Sequence, residues 1–440
     1  MKKLDSTILQ ALNPSDYFTL AMDDEIRREN MPGSLCGFAL ELDKEPDIET
    51  LQARIIEFGE RFPVAYASLQ QQGKRFFWCQ REQNTPLFSQ HRESGDKSAD
   101  FHKNTVLDLI NQKQAREDIS PISFHLISSA NKHTFLLRWV HPFCDARGID
   151  LILKFLCTNE ADQRLKFNFP ELDSLVNLQL EKYKWWQKIA LFFKAKRYIT
   201  KLDQLPSIIH ADTTKTPKQL NFTNVTLTNE QTTRINSNVR KHVGMTGTSL
   251  YYIGCFMRAL HRMDPTQKGE AYCAPYAFSL RKNKALSPVL ANHVGALFAQ
   301  VPKALLNDRS ALFQHLKNEN MQVIRKKLDY AFLPVMWAAS WLSLEKHGKE
   351  LRKSYASGTE RSSFWFSDIG KTDISEMVFF DSKINSIFHL CQITSPPALA
   401  FLSCQFNNRL TFSYNFIEPL FHAQWIDQLH EIMLEELLME

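Results

Sequence analysis

The sequence predicts a mixed α/β protein of two halves of roughly equal length. Three observations point there. At 440 residues the chain exceeds the size at which one hydrophobic core keeps growing, so two folding units are expected. Stretches of period-two apolar alternation are interleaved throughout with stretches of helical periodicity. A segment with Pro206, Pro217 and a Thr/Lys-rich centre interrupts both patterns. The expected organisation is a first lobe over 1–205, a linker over 206–218 and a second lobe over 219–440.

In chain order, Asn13, Pro14, Ser15 and Asp16 mark a helix start. A strand is expected over 37–42. Leu51, Ile55, Phe58 and Phe62 then form a helical stripe that Pro63 stops. A strand over 75–80 precedes a polar stretch, 82–100, that reads as loop. Val106, Leu107 and Ile110 suggest a short helix. A hairpin follows, with strands over 122–127 and 133–141 joined by a turn over 128–132. The stretch 149–156 reads as a helix, and 174–202 as one long helix rich in aromatics and lysines. The second half restarts the programme with a strand over 220–227. Thr248 or Ser249 caps a helix carrying Leu250, Ile253, Met257 and Leu260. Strands over 271–280 and 295–301 and helices over 310–326 and 337–346 come next. Extended pieces are expected at 363–366 and 377–380. A hairpin over 398–416, turning at Asn407 and Asn408, leads to a closing helix from about Pro419.

Composition narrows the function classes. With 44% hydrophobic and 23% charged residues, the chain is an ordinary globular protein. Its net charge of +5 is modest for this length and calls for no nucleic-acid partner. The eight cysteines form no CxxC pair and sit in apolar contexts, which fits buried free thiols better than disulfides or zinc. No run approaches the length of a bilayer span, and Met1-Lys2-Lys3-Leu4-Asp5 lacks the apolar core of a signal peptide. A cytoplasmic protein is expected.

The stretch that bears chemistry is 135–148. Phe135, Leu137, Trp139 and His141 share one face of a strand, and Pro142 ends the pairing because it has no N–H to donate. A histidine is thereby presented at a strand end, with Asp145 four residues on and the small residues Ala146 and Gly148 allowing a tight turn. An i, i+4 His/Asp pair on a helix could hold a metal. Pro142 and the strand context oppose that, no third ligand is near, and no metal is expected. The competing reading is general-base work by a neutral imidazole on a hydroxyl, amine or thiol. His125 and His261 read as structural.

His141-Pro142-Phe143-Cys144-Asp145-Ala146-Arg147-Gly148 resembles the HxxxD signature of the chloramphenicol-acetyltransferase-like superfamily. That group includes condensation domains of nonribosomal peptide synthetases, wax-ester synthases, polyketide-associated acyltransferases and plant BAHD enzymes. Further segments are similar to the family's in the same order: Arg61-Phe62-Pro63, Pro275 to Arg281, Asn292-His293-Val294-Gly295 with Gln300-Val301-Pro302 beyond, and Ser367-Asp368-Ile369-Gly370. The sequence departs from the pattern at Val140, where many bacterial members carry a second histidine. It departs again at Ala146, commonly glycine, and at Asp368, commonly asparagine.

The resemblance implies a two-lobed pseudo-dimer with His141 at a tunnel between the lobes. It implies acyl transfer from a thioester, with acyl-coenzyme A or an acyl-carrier protein as co-substrate and no bound cofactor, to a hydroxyl or amine acceptor. His141 would be the base. Asp145 would be a brace gripped in bidentate fashion by Arg281, and Asn292 and Gly295 would support the site. Ser367, or N–H groups around Gly370, would face the oxyanion. Simpler readings stand beside these: Arg281 as a surface charge near Lys282 and Lys284, and Asn292 and Gly295 as turn residues. A non-catalytic binding or docking module that keeps the fold is the alternative function.

The stretch 182–201 interleaves Lys182, Lys184, Lys188, Lys194, Lys196, Arg197 and Lys201 with Trp185, Trp186, Ile189, Phe192 and Phe193. It fits a membrane-surface helix, which would place the protein peripherally at a bilayer. Another reading is the docking of an acidic carrier protein or the phosphates of coenzyme A. An ordinary helix that buries its aromatics and solvates its lysines accounts for the same pattern.

Overall fold

The computed structural model describes residues 8–82, 85–93, 100–168, 174–211, 216, 218–244, 247–282, 285–356, 360–372, 374 and 378–439. The centre of the expected linker, Lys284 and Met377 lie outside the described residues.

The chain begins with β1 (Ile8–Ala11) and α1 (Pro14–Arg28). Asn13 Oδ1 accepts the amides of Ser15 and Asp16, and Asp16 Oδ2 accepts the Asn13 amide at 2.9 Å. This reciprocal capping box, with Pro14 in the first turn, fixes where the helix starts. Next come β2 (Leu35–Leu42) and α2 (Ile48–Arg61), which buries Leu51, Ile55 and Phe58. The hairpin β3 (Ser68–Gln72) and β4 (Arg75–Cys79) follows. The stretch expected as loop contains β5 (Phe88–Arg92). All but one of its residues are polar, and as an edge strand it pairs on one side only, so no apolar alternation marks it.

Then follow α3 (Phe101–Ile110), the hairpin β6 (Ile122–Ser128) and β7 (His133–Val140), α4 (Ala146–Cys157) and the short α5 (Ala161–Arg164). The single helix expected over 174–202 is two, α6 (Leu175–Glu181) and α7 (Trp185–Leu202). The Lys184 amide donates to Gln187 Oε1 at 2.8 Å, an N-terminal cap that starts a new helix without any proline or glycine.

The second half holds β8 (Gln219–Thr226), α8 (Asn229–His242) and α9 (Thr248–Met263). Sequence periodicity does not find α8, whose buried face includes Thr232 and Asn238 beside Ile235 and Val239. The cap of α9 is Gly247, one residue before the expected Thr248 or Ser249. After β9 (Ala271–Ser279), β10 (Val294–Pro302) and α10 (Arg309–Arg325) come α11 (Phe332–Ala339) and α12 (Leu344–Ala356). These two replace the one helix expected over 337–346. The chain closes with β11 (Trp365–Lys371), β12 (Ile384–Cys391), the hairpin β13 (Leu399–Phe406) and β14 (Arg409–Glu418), and α13 (Ala423–Leu438).

The two large sheets repeat one topology. In the first, β2, β7 and β6 are antiparallel neighbours and β5 lies parallel to β6. In the second, β8, β14 and β13 are antiparallel neighbours and β11 lies parallel to β13. Strand for strand the orders β2-β7-β6-β5 and β8-β14-β13-β11 correspond. The halves are stitched together by β12, which leaves the second half to pair antiparallel with β2. One buried cluster contains residues of both halves, among them Phe58, Phe124, Phe256 and Phe401. The start of the expected linker is anchored: Ile208 is buried and its amide donates to Ala271 O at 2.8 Å. All eight cysteines are free. Among the described residues, no helix is long and apolar enough to cross a membrane.

Candidate active site

His141 follows directly on the last residue of β7, and both its main-chain groups are pinned by distant parts of the chain. Its amide donates to Ser34 O at 2.9 Å, and its carbonyl accepts Asn292 Nδ2 at 2.8 Å. The side chain remains partly exposed while Nδ1 is enclosed, which leaves Nε2 as the nitrogen open to a ligand. Nδ1 and Asn292 Oδ1 are both buried without a hydrogen bond of full geometry. Burial lowers the imidazole's affinity for a proton, and the residue's own carbonyl, Asp145 and the Asn292 side chain partly oppose it. Net, the ring's pKa lies below the ordinary histidine value.

Asp145 caps α4, accepting the Gly148 amide at 2.9 Å. Arg281 reaches it across 136 residues of sequence, with Nη1 at 2.7 Å from Oδ1 and 2.6 Å from Oδ2. The grip differs from the expected fork: one nitrogen meets both oxygens, while Nε donates to Pro288 O at 2.9 Å and Nη2 to Ala291 O at 3.2 Å. Arg281 is therefore a buried clamp on a loop, and the surface-charge reading fails. Burial alone would raise the Asp145 pKa, but Arg281 and the His293 amide outweigh it and hold the carboxyl below its usual range.

That clamped loop carries strain. Ala291 has φ +69°, in the left-handed region that favours glycine, and is held there by the hydrogen bond its amide donates to Phe143 O at 2.8 Å. Gly148 faces the same loop, where an added Cβ would lie 2.5 Å from Val289 O. Gly148→Ala is thus expected to destabilise the protein by about 1–3 kcal/mol, read as a lower urea midpoint. An unchanged midpoint would mean the loop yields freely.

Two residues of the helix start at 13–16 belong to this site, which the sequence does not foretell. Successive amides point at two carboxylates, Asn292 N to Asp16 Oδ1 at 2.7 Å and His293 N to Asp145 Oδ2 at 2.8 Å. Asn292 Nδ2 also donates to Asp16 Oδ1, and Asn13 Nδ2 to Asn292 O. Asn292 is therefore more than a turn residue, since it ties the α1 cap to the His141 carbonyl. His293 is buried, with Nδ1 accepting the Leu175 amide and Nε2 facing Leu290 O at 2.8 Å; burial pushes its pKa down to about 4. Gly295 packs against Phe278, whose ring an added Cβ would meet at 2.4 Å.

Burial raises the Asp16 pKa to about 7 against the pull of its Asn292 and Asn13 donors. Asp16 then binds its proton more tightly folded than unfolded. It contributes stability at low pH that is lost as pH rises from about 4 to about 7. The fall in urea midpoint between about pH 5 and pH 8 is expected to be smaller in Asp16→Asn than in wild type. Equal falls would contradict the assignment.

Ser367 and Gly370 lie on β11, and among the described residues no hydrogen bond links them to the His141 cluster. Asp368 between them accepts Ser249 Oγ at 3.1 Å, Ser403 Oγ at 3.0 Å and the Gly370 amide at 3.1 Å. The Gly370 N–H is thus already committed, with Gly370 at φ +76° completing the turn. Burial raises the Asp368 pKa despite these donors.

No family model matches the chain, and no curated protein matches it. Solved structures do. The first condensation domain of the calcium-dependent antibiotic synthetase, in complex with a substrate analogue, is 11% identical at a TM-score of 0.71, covering 98% of this chain and 96% of that one. Polyketide synthase associated protein 5 from Mycobacterium tuberculosis is 12% identical at 0.66, covering 98% of both. The chain has the chloramphenicol-acetyltransferase-like fold. The trichothecene 15-O-acetyltransferase of Fusarium sporotrichioides, 12% identical at 0.66 and covering 97% of this chain and 95% of that one, has it too. Coverage of nearly the whole length means that both lobes of the fold are present, as the repeated sheet order requires.

Proposed function

We propose that the protein is an acyltransferase that moves an acyl group from a thioester to a hydroxyl or amine, with His141 as general base. The observation that carries this is the state of the imidazole: neutral by burial, fixed by its main chain, Nδ1 enclosed and Nε2 open. In this reading Nε2 takes the acceptor's proton as its oxygen or nitrogen attacks the thioester carbonyl. The tetrahedral intermediate collapses with cleavage of the C–S bond, and the imidazolium returns the proton to the departing thiolate. Asp145 does not touch the reactants. It anchors the start of α4 and, through Arg281 and the His293 amide, the loop bearing Asn292. The similarity in fold to an acetyltransferase and to condensation domains supports acyl transfer.

A second reading, a binding or docking module that keeps the fold, draws on Gly370. Its N–H is held by Asp368 and so is not free for an oxyanion. Thiol release decides between them. Acyl-coenzyme A donors and acyl-carrier proteins would be offered with alcohols and amines as acceptors, and free thiol counted. Release that depends on the acceptor is expected from at least one pair; none from any pair favours the binding module.

A further inference from the structure

Helix α7 carries two apolar stripes, and only one of them is covered. Leu191, Ala195, Tyr198 and Leu202 share the face that packs on the protein, in a cluster with Phe332 and Val323 or at the helix end. Helical spacing puts Trp185, Trp186, Ile189 and Phe193 on the opposite side. These are in solvent: Trp185 is 70% exposed and Phe193 60%. The ordinary-helix reading of this stretch is therefore not what the structure contains.

At the flank of α7, Lys188 reaches the neighbouring helix α11. Lys188 Nζ sits 5.8 Å above the Trp337 ring of α11, and Trp337 in turn packs edge-on against Trp341, which is 54% exposed. Four of the protein's eight tryptophans are thus exposed in two edge-on pairs, with Lys188 of α7 reaching over Trp337 of the second pair. Cations surround them. No acidic residue occurs between Glu181 and Asp203, and Lys194 reaches the end of α10, where Arg325, Lys326 and Lys327 follow one another. Among the described residues, no carboxylate pairs with Lys184, Lys188, Lys196 or Arg197. A contiguous run of exposed large apolar side chains such as Trp185, Trp186, Ile189 and Phe193 marks an interaction surface.

We propose that the face formed by α7 and α11 docks on an anionic lipid bilayer, with tryptophans at headgroup level and lysines over the lipid phosphates. An acidic carrier protein would match the charge, but it gives no reason for tryptophans spread across two helices. A cavity of about 260 Å³ opens beside the patch, lined by Trp337, Trp341, Leu12, Phe76, Pro14 and Tyr17. Pro14 and Tyr17 flank Asp16, so the cavity wall belongs to the same turn that holds Asn292. Arg75, Asn177 and Ser340 also line it, so the cavity offers a lipid both an apolar wall and polar partners next to the docking surface.

Flotation with phosphatidylglycerol-containing and pure phosphatidylcholine vesicles tests the docking, with tryptophan emission as a second readout. The wild type is expected to float with anionic vesicles and to show a blue shift. The variant W185S/W186S/I189S/F193S and the charge-reversed K184E/K188E/K196E are each expected to lose on the order of a hundredfold in partitioning, with unchanged thermal melts. His141→Ala should float as the wild type does, which separates docking from catalysis. A wild type that stays behind with anionic vesicles, or either variant floating normally, overturns the proposal. So does capture of an acidic acyl-carrier protein by this face without vesicle binding.

Discussion

A His141→Ala protein is expected to fold as the wild type does and to lose acyl transfer by roughly 10²–10⁴-fold. The fold should survive because the contacts that hold residue 141 are made by its main chain, to Ser34 O and from Asn292 Nδ2. The imidazole is partly exposed and makes no hydrogen bond of full geometry, so its removal is expected to cost within about 1 kcal/mol of stability. The rate should fall because, among the described residues of the cluster around His141, no other imidazole has a free nitrogen to take the acceptor's proton. His293, whose amide is tied to the same Asp145 carboxylate, has both its ring nitrogens engaged, and burial keeps it neutral. The wild-type rate should be full at neutral pH, because the His141 pKa lies below the ordinary value, and should decline only as pH falls through that lowered pKa.

Arg281→Met is expected to act in the opposite way, through the fold, at a cost of about 3–5 kcal/mol. The substitution leaves Asp145 buried with two amide donors and no cation, and strips partners from the carbonyls of Pro288 and Ala291. The Asp145 pKa is depressed in the folded protein, so the wild type carries stability that is present at neutral pH and lost as pH falls through that depressed value. In Arg281→Met this acid-sensitive part should vanish. Adding Asp145→Asn, which keeps an oxygen for the Gly148 amide, should recover much of the loss, because the unpaired charge is then gone. Urea midpoints of the two single variants and the double variant measure this; an Arg281→Met midpoint equal to wild type would remove the clamp from the account.

What the sequence discloses divides along physical lines. The hairpin to His141 is legible because β6 and β7 alternate and Pro142 ends the pairing. The segments at 275–281 and 292–295 are legible as companions of the HxxxD stretch, though not that one guanidinium nitrogen would straddle Asp145 while the others hold carbonyls. The share of Asn13 and Asp16 in the site is not legible. Locally they form an ordinary capping box, and the contact that gives them a second role spans 276 residues. β12 is missed for a related reason: Ile384, Ile387, Phe388 and Leu390 do not alternate cleanly, and the strand pairs with β2 of the other half. The lysine-aromatic pattern of α7 fits a buried or an exposed face equally well, and only packing decides between them.

The most direct test of the account is transfer itself. A responsive thioester donor is incubated with a labelled acceptor, and released thiol and acylated acceptor are counted together for wild type and His141→Ala at matched folded concentration. One thiol per acylated acceptor is expected from the wild type and only background from the variant. Equal product from both proteins, or thiol release without acylated acceptor, would contradict it.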